Sequence, residues 1–110
     1  MKDMSHEATE LELYADNSER LYHWKMALFE ALARKKDRAI FDETLAPKIF
    51  ASLLKDAAKA YEHEYMTAHS WRTVFPTSVR AEVAESFTRE FLTWYDTDRV
   101  ALQKKSEKSA

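Results

Sequence analysis

The side chains best suited to metal binding in this chain are its four histidines, His6, His23, His63 and His69. Two histidines on a helix bind one metal ion when they stand three or four residues apart, because both rings then share a face. His63 and His69 are six residues apart, which places them on nearly opposite sides. The chain contains no cysteine, which excludes thiolate metal sites. We therefore predict no metal site and no cofactor.

Catalytic motifs are limited by the absence of glycine, whose count is zero. Phosphate-binding loops, dinucleotide fingerprints and nucleophile elbows all require glycine for positive φ or for close approach of the backbone. The serines show no nucleophile context, and Ser18 and Ser78 are better explained as helix caps. We therefore predict no catalytic residues and no enzymatic activity. An enzyme built on carboxylates from separate helices is the alternative.

A basic cluster formed by Arg34, Lys35, Lys36 and Arg38 would suit nucleic-acid binding. The whole chain has 17 basic and 19 acidic residues and a formal net charge of −2, which gives no global attraction to nucleic acid or to an anionic membrane. The third predicted helix also carries acidic residues where a recognition helix would carry basic or amide ones. Binding of nucleic acid through this cluster is therefore the second hypothesis. A solvated helix end is its structural alternative.

Aromatic residues give the strongest indication of function. Three tryptophans, five tyrosines and six phenylalanines are more than three short helices comfortably enclose, and protein interfaces favour tyrosine and tryptophan. Tyr14, Trp71 and Phe75 lie outside the predicted helices, where connecting segments keep to the surface. We predict that these three residues form or border a partner-binding surface. The alternative is a small core beneath the connectors.

Helical spacing dominates the elements that must position these residues. A box-like capping pattern that begins with Asp16 as the cap predicts a first helix that runs to about Lys36. A second helix is predicted to end near His69, and a third begins at a cap formed by Thr77 or Ser78. With no glycine and two prolines, the chain lacks the usual turn residues of a many-stranded β protein.

The segment from Thr9 to Ala15 alternates in polarity, with Leu11, Leu13 and Ala15 on one side and Glu10, Glu12 and Tyr14 on the other. This period of two indicates an extended chain. A lone strand cannot satisfy its own backbone groups, so it packs on the core, pairs with a second copy or adds to a partner. We therefore predict an all-α fold, a three-helix bundle with an extended N-terminal strap. Residues 11–102 would form a single helical domain between flexible ends at 1–10 and 103–110.

The location of the protein is suggested by two missing patterns. No apolar run approaches the roughly 18 residues of a membrane-spanning helix. The first residues also lack the apolar centre of a signal peptide. We therefore expect a cytoplasmic protein that does not bind membranes.

Several helix-packing segments together form a recognisable pattern, namely Leu11-Glu12-Leu13-Tyr14, Asp16-Asn17, Leu21-Tyr22, Ala57-Ala58-Lys59-Ala60-Tyr61, Phe75-Pro76, Arg80 and Val83-Ala84. In this pattern, which covers residues 11 to about 92, the chain resembles short uncharacterised helical proteins carried by bacterial plasmids and phages. The resemblance implies a mobile-element context and brings no catalytic residues. It also implies a protein-binding module that inhibits a host defence or nucleic-acid machine. The protein partner stays unidentified, and a homodimer is one form that the partnership could take.

Overall fold

The structure is a computed structural model that describes residues 4–99. Over this range the chain folds into helices without a strand, which confirms the all-α class. The elements are α1 His6–Asn17, α2 Glu19–Asp37, α3 Ala46–Tyr65, α4 Trp71–Val74, α5 Thr77–Trp94 and a π-helical turn at Tyr95–Arg99. None of the helices in these residues has the length and apolar character needed to cross a membrane.

The predicted architecture of three helices is not confirmed, because five α-helices are present in residues 4–99. The predicted helices correspond to α2, α3 and α5. The connector expected to be irregular contains α4, a single helical turn. The carboxylate of Glu62 on α3 accepts a hydrogen bond from the backbone N–H of Trp71. This bond satisfies a free amide at the start of α4 and so favours the turn.

The extended N-terminal strap is wrong, because the segment forms α1. Its buried residues are Ala8, Leu11 and Ala15, which follow a helical spacing of three and four. The hydroxyl of Ser5 caps this helix by accepting a hydrogen bond from the N–H of Ala8 at 3.2 Å. A helix satisfies its backbone groups internally, whereas an isolated strand does not.

The flexible N-terminal end expected over residues 1–10 is also not what residues 4–10 show. Helix α1 begins at His6, and Ala8 belongs to the buried core. Ser5 donates its hydroxyl to Glu82 of α5 at 2.7 Å, which ties the start of α1 to the bundle. The predicted tail at 103–110 lies outside the described residues, as do residues 100–102 of the predicted domain.

Ser18 is the single residue between α1 and α2, and it serves both helices. Its N–H donates to the carbonyl of Tyr14 at 3.1 Å, and its hydroxyl accepts from the N–H of Leu21 at 3.4 Å. Ser18 therefore caps α2, whereas Asp16, the cap expected from the sequence, lies within α1 and pairs with Lys25. The joint between the two helices has no loop.

Two helix ends adopt the left-handed backbone conformation that glycine usually supplies. Ala39 after α2 has a φ of 60°, and Met66 after α3 has a φ of 48°. A left-handed residue at this position stops the helix and redirects the chain. Because of Met66, α3 ends at Tyr65 rather than near His69.

The core lies among α1, α2, α3 and α5. Phe50 on α3 and Phe87 on α5 meet edge to face with ring centroids 5.6 Å apart. Phe29 on α2 makes similar contacts with Phe50 and Phe91. Phe50, near the start of α3, contacts Phe87 within α5, whereas Tyr61, near the end of α3, contacts Phe75, two residues before α5. Helices α3 and α5 therefore run in opposite directions.

Candidate functional site

The three residues predicted to contact a partner lie at different depths. Phe75 is 0% exposed and Trp71 is 8% exposed, so the expectation that both lie on the surface is wrong. They are core residues because α4 packs against α3 and carries the connector inward. Tyr14 on α1 is partly exposed. Partner binding through Tyr14 stays a prediction.

A cluster of tyrosines surrounds Tyr14. Its ring centroid lies 5.4 Å from that of Tyr61 and 6.1 Å from that of Tyr65, and Tyr61 and Tyr65 are 4.6 Å apart. Met66 follows directly at the end of α3. We call Tyr14, Tyr61, Tyr65 and Met66 the tyrosine surface. Phe75 meets Tyr61 edge to face at 4.9 Å, so the structure places it beneath this surface.

Two carboxylates hold the hydroxyl groups of the tyrosine surface. Tyr14 donates to Glu64 at 2.6 Å, and Tyr61 donates to Glu10 at 3.3 Å. Burial raises the pKa of Tyr14 to about 12, and the hydrogen bond to Glu64 acts in the same direction. Burial and the nearby charge of Glu10 also raise the pKa of Tyr61. Both phenols therefore stay neutral donors at physiological pH, beside two acidic acceptors.

The basic cluster predicted to bind nucleic acid lies at the end of α2. Arg34, Lys35 and Arg38 are exposed. Lys36 is partly buried, and its Nζ lies 5.6 Å from the ring centroid of Phe41. Lys36 therefore covers an aromatic side chain, and three cations face solvent. Nucleic-acid binding at this cluster stays a prediction.

A buried lysine on α2 forms the centre of a second charged group. Lys25 is 2% exposed, and its Nζ lies 2.7 Å from Asp16 Oδ1 and 2.9 Å from Glu90 Oε1. The same Nζ lies 5.0 Å from the ring centroid of Phe87. Burial lowers the pKa of Lys25, but the hydrogen bonds to Asp16 and Glu90 outweigh it and hold the pKa above its ordinary value. Lys25 is thus a buried cation paired from α1 and α5.

Glu12 and Ser86 complete this group, which we call the ion cluster. Ser86 on α5 donates its hydroxyl to both carboxylate oxygens of Glu12 at 3.1 Å. Burial raises the pKa of Glu12, and the hydrogen bond from Ser86 offsets part of the rise. Carboxylate oxygens of Glu12, Asp16 and Glu90 lie within 4.8 Å of one another, a spacing at which a metal ion can bind. The ammonium of Lys25 already contacts two of these carboxylates and supplies the compensating positive charge.

The sequence gives one indication of the ion cluster that periodicity alone did not reveal. Lys25 stands four residues from both Leu21 and Phe29, in the middle of a buried helix face. The neighbouring apolar residues Trp24 and Leu28 are only partly buried. A single cation on an apolar stripe indicates a buried ion pair, because an unpaired charge is very costly there.

Comparisons of the chain with family models, with curated proteins and with solved structures found no match.

Proposed function

We propose that the protein is a non-enzymatic, cytoplasmic protein-binding module whose contact region is the tyrosine surface. One observation carries the proposal: Tyr65 is 58% exposed and Met66 is 86% exposed, next to two tyrosines that are partly buried. Large side chains left in water side by side are costly for a monomer and are typical of binding sites.

The tyrosine surface is well suited to binding because much of it is already ordered. Tyr14 and Tyr61 contact each other at 5.4 Å, and each hydroxyl is held by a carboxylate. Tyrosine has few rotatable bonds, so these side chains lose little conformational entropy when a partner binds. Met66 adds a flexible apolar side chain that adapts to the partner's shape.

The chemistry of the partner follows from the groups around the rings. Glu10 and Glu64 place negative charge at the edge of the tyrosine surface. Tyrosine faces also attract cations. The surface therefore fits a protein segment that presents an arginine or lysine side chain together with apolar neighbours. In the mobile-element setting that the resemblance implies, such binding would block a host machine.

Affinity capture from a nuclease-treated bacterial lysate tests the proposal when it is made with matched variants. Tyr65→Ala removes the most exposed ring of the surface. Leu13→Ala removes an apolar side chain of similar exposure, 56%. Leu13 lies on the face of α1 that points away from the core. We expect a protein retained by the wild type and by Leu13→Ala to be lost with Tyr65→Ala, because interface aromatic residues contribute roughly 2 kcal/mol or more to binding.

Sedimentation of the same variants distinguishes the kind of partner. A wild-type dimer that Tyr65→Ala converts to a monomer would identify a second copy as the occupant. Retention of the same proteins by all three forms would contradict a role for the tyrosine surface. Melting temperatures must stay within a few degrees, since both changes are at exposed positions.

A further inference from the structure

Three cationic side chains lie around the ring of Trp71. Arg72 and Arg80 place their guanidinium carbons 4.8 and 5.1 Å from the ring centroid, and Lys59 places its Nζ at 5.6 Å. Trp71 is buried largely beneath them. Lys59 and Arg72 are exposed, and Arg80 is partly exposed. One indole thus gathers three positive charges from α3, α4 and α5.

These cations are not neutralised by ion pairs. Within residues 4–99, none of them forms a salt bridge with a carboxylate. Arg80 is instead fixed by neutral acceptors, with its Nε donating to the carbonyl of Phe75 at 3.1 Å. The nearby carboxylate of Glu62 accepts the N–H of Trp71. Three cations outnumber this carboxylate and repel one another, and an anion that binds among them relieves that repulsion.

The positive charge continues along α3. Lys48, Lys55 and Lys59 are exposed and stand seven and four residues apart, which places them on one face of the helix. Lys48 also lines a cavity of about 210 Å³ together with Arg80. We call Lys48, Lys55, Lys59, Arg72 and Arg80 the basic face. Its three lysines extend over about 16 Å of helix.

We propose that the basic face binds the phosphate backbone of nucleic acid, a second activity separate from the protein contact at the tyrosine surface. A row of this length exceeds a single phosphate, whereas a strand of duplex carries one phosphate per about 3.4 Å of its axis. The two guanidinium groups suit phosphate because they donate paired hydrogen bonds. The cations cover Trp71, so the contact is with the backbone, independent of base sequence.

Fluorescence anisotropy with labelled oligonucleotides tests the proposal. The probes are a single-stranded DNA of about 16 nucleotides and its duplex. The Lys55→Gln/Lys59→Gln/Arg72→Gln variant removes three charges from the basic face. The matched variant Arg34→Gln/Lys35→Gln/Arg38→Gln removes three exposed charges from the end of α2. Both proteins have the same formal charge, so a difference between them locates the site.

We expect micromolar binding by the wild type that weakens steeply between about 50 and 200 mM salt. The basic-face variant should bind roughly tenfold or more weakly, and the slope of log K against log salt should shrink by about 2 to 3. The α2 variant should stay within about threefold of the wild type. The variant Lys48→Gln/Lys55→Gln leaves the three cations over Trp71 in place. It should also weaken binding, and it keeps the test valid should the triple variant unfold.

Three results would overturn the proposal. The wild type could fail to bind either probe at low salt. The α2 variant could lose as much affinity as the basic-face variant, which would mean that net charge or the Arg34–Arg38 cluster controls binding. Polyglutamate could displace the oligonucleotide as well as unlabelled DNA does at equal charge, which would assign the basic face to an acidic protein.

Discussion

Lys25 and Lys59 both place an ammonium group over an aromatic ring, and their surroundings are opposite. Lys25 is buried over Phe87 and contacts two carboxylates at 2.7 and 2.9 Å. Lys59 is exposed over Trp71, which it shares with two arginine side chains. The buried cation is paired with two negative charges, and the exposed cation shares its ring with two further positive charges.

This difference distinguishes charged groups that stabilise the fold from charged groups that the fold does not need for its stability. A buried ammonium must be paired, because its desolvation costs several kcal/mol, roughly, when no anion is near. Exposed cations stay hydrated, so water screens much of their repulsion. The ion cluster therefore holds α1, α2 and α5 together, whereas the basic face is free to contact a ligand.

The largest effect is expected when both carboxylates that pair with Lys25 are removed. The double variant Asp16→Asn/Glu90→Gln removes the two carboxylates that contact the buried cation and should destabilise the protein by about 3–5 kcal/mol. Urea unfolding measures this loss. The control Glu43→Gln/Glu85→Gln removes the same charge from exposed positions and should change stability by less than about 0.5 kcal/mol. Equal effects in the two double variants would mean that the ion cluster is not structural.

Removing the cation as well should restore a large part of the lost stability. Adding Lys25→Met to Asp16→Asn/Glu90→Gln replaces the buried charge by an apolar side chain of similar length. We expect the triple variant to recover at least about 2 kcal/mol in urea unfolding, because buried ion pairs are often matched by apolar replacements. A triple variant less stable than the double would show that Lys25 contributes through its packing and not through its charge.

A much smaller effect is expected at the basic face. The double variant Lys59→Gln/Arg72→Gln loses two cation–aromatic contacts but also relieves repulsion around Trp71. The change in unfolding free energy should be below about 1 kcal/mol. Thermal and urea unfolding would measure it. A loss as large as that of Asp16→Asn/Glu90→Gln would make these cations part of the fold and would remove the contrast between the two regions.

The smallest effect concerns Tyr14 and appears only in alkali. Its folded-state pKa of about 12 lies above the ordinary value of 10.0, so its contribution to stability is present below pH 10 and is lost as the pH rises toward 12. Tyr14→Phe should therefore make the decline of stability over this range less steep. It should also remove a component near pH 12 from the absorbance titration of tyrosinate. An unchanged titration curve would contradict the environment described for Tyr14.

Helices α2, α3 and α5 could be predicted because each is long and repeats apolar residues at helical spacing. Helix α1 could not, because Leu11 and Ala15 fit both a period of two and a helical face. The choice between strand and helix depends on Ala8 and on the cap at Ser5, and the alternating segment includes neither residue. Local pattern was ambiguous here, and packing against α5 decided it.

The charged groups could be predicted only in part for a similar reason. Lys25 is visible as a cation on an apolar stripe, but its partner Glu90 lies 65 residues away. Trp71 and Phe75 are visible as aromatic residues in a connector, but their depth depends on how α4 packs on α3. The cations around Trp71 come from three helices. Clusters of this kind form through tertiary packing, so no fixed spacing along the sequence indicates them.

The joint at Ser18 makes the distance between α1 and α2 along the chain unusually intolerant of change. One inserted residue would rotate α1 by about 100° relative to α2, which would turn Asp16 away from Lys25 and Tyr14 away from Tyr61. In related chains of different length, we therefore expect insertions and deletions at residues 38–45 or 66–70 and none beside Ser18. The same reasoning guides protein engineering, since a tag or reporter domain belongs in residues 38–45 and not beside Ser18.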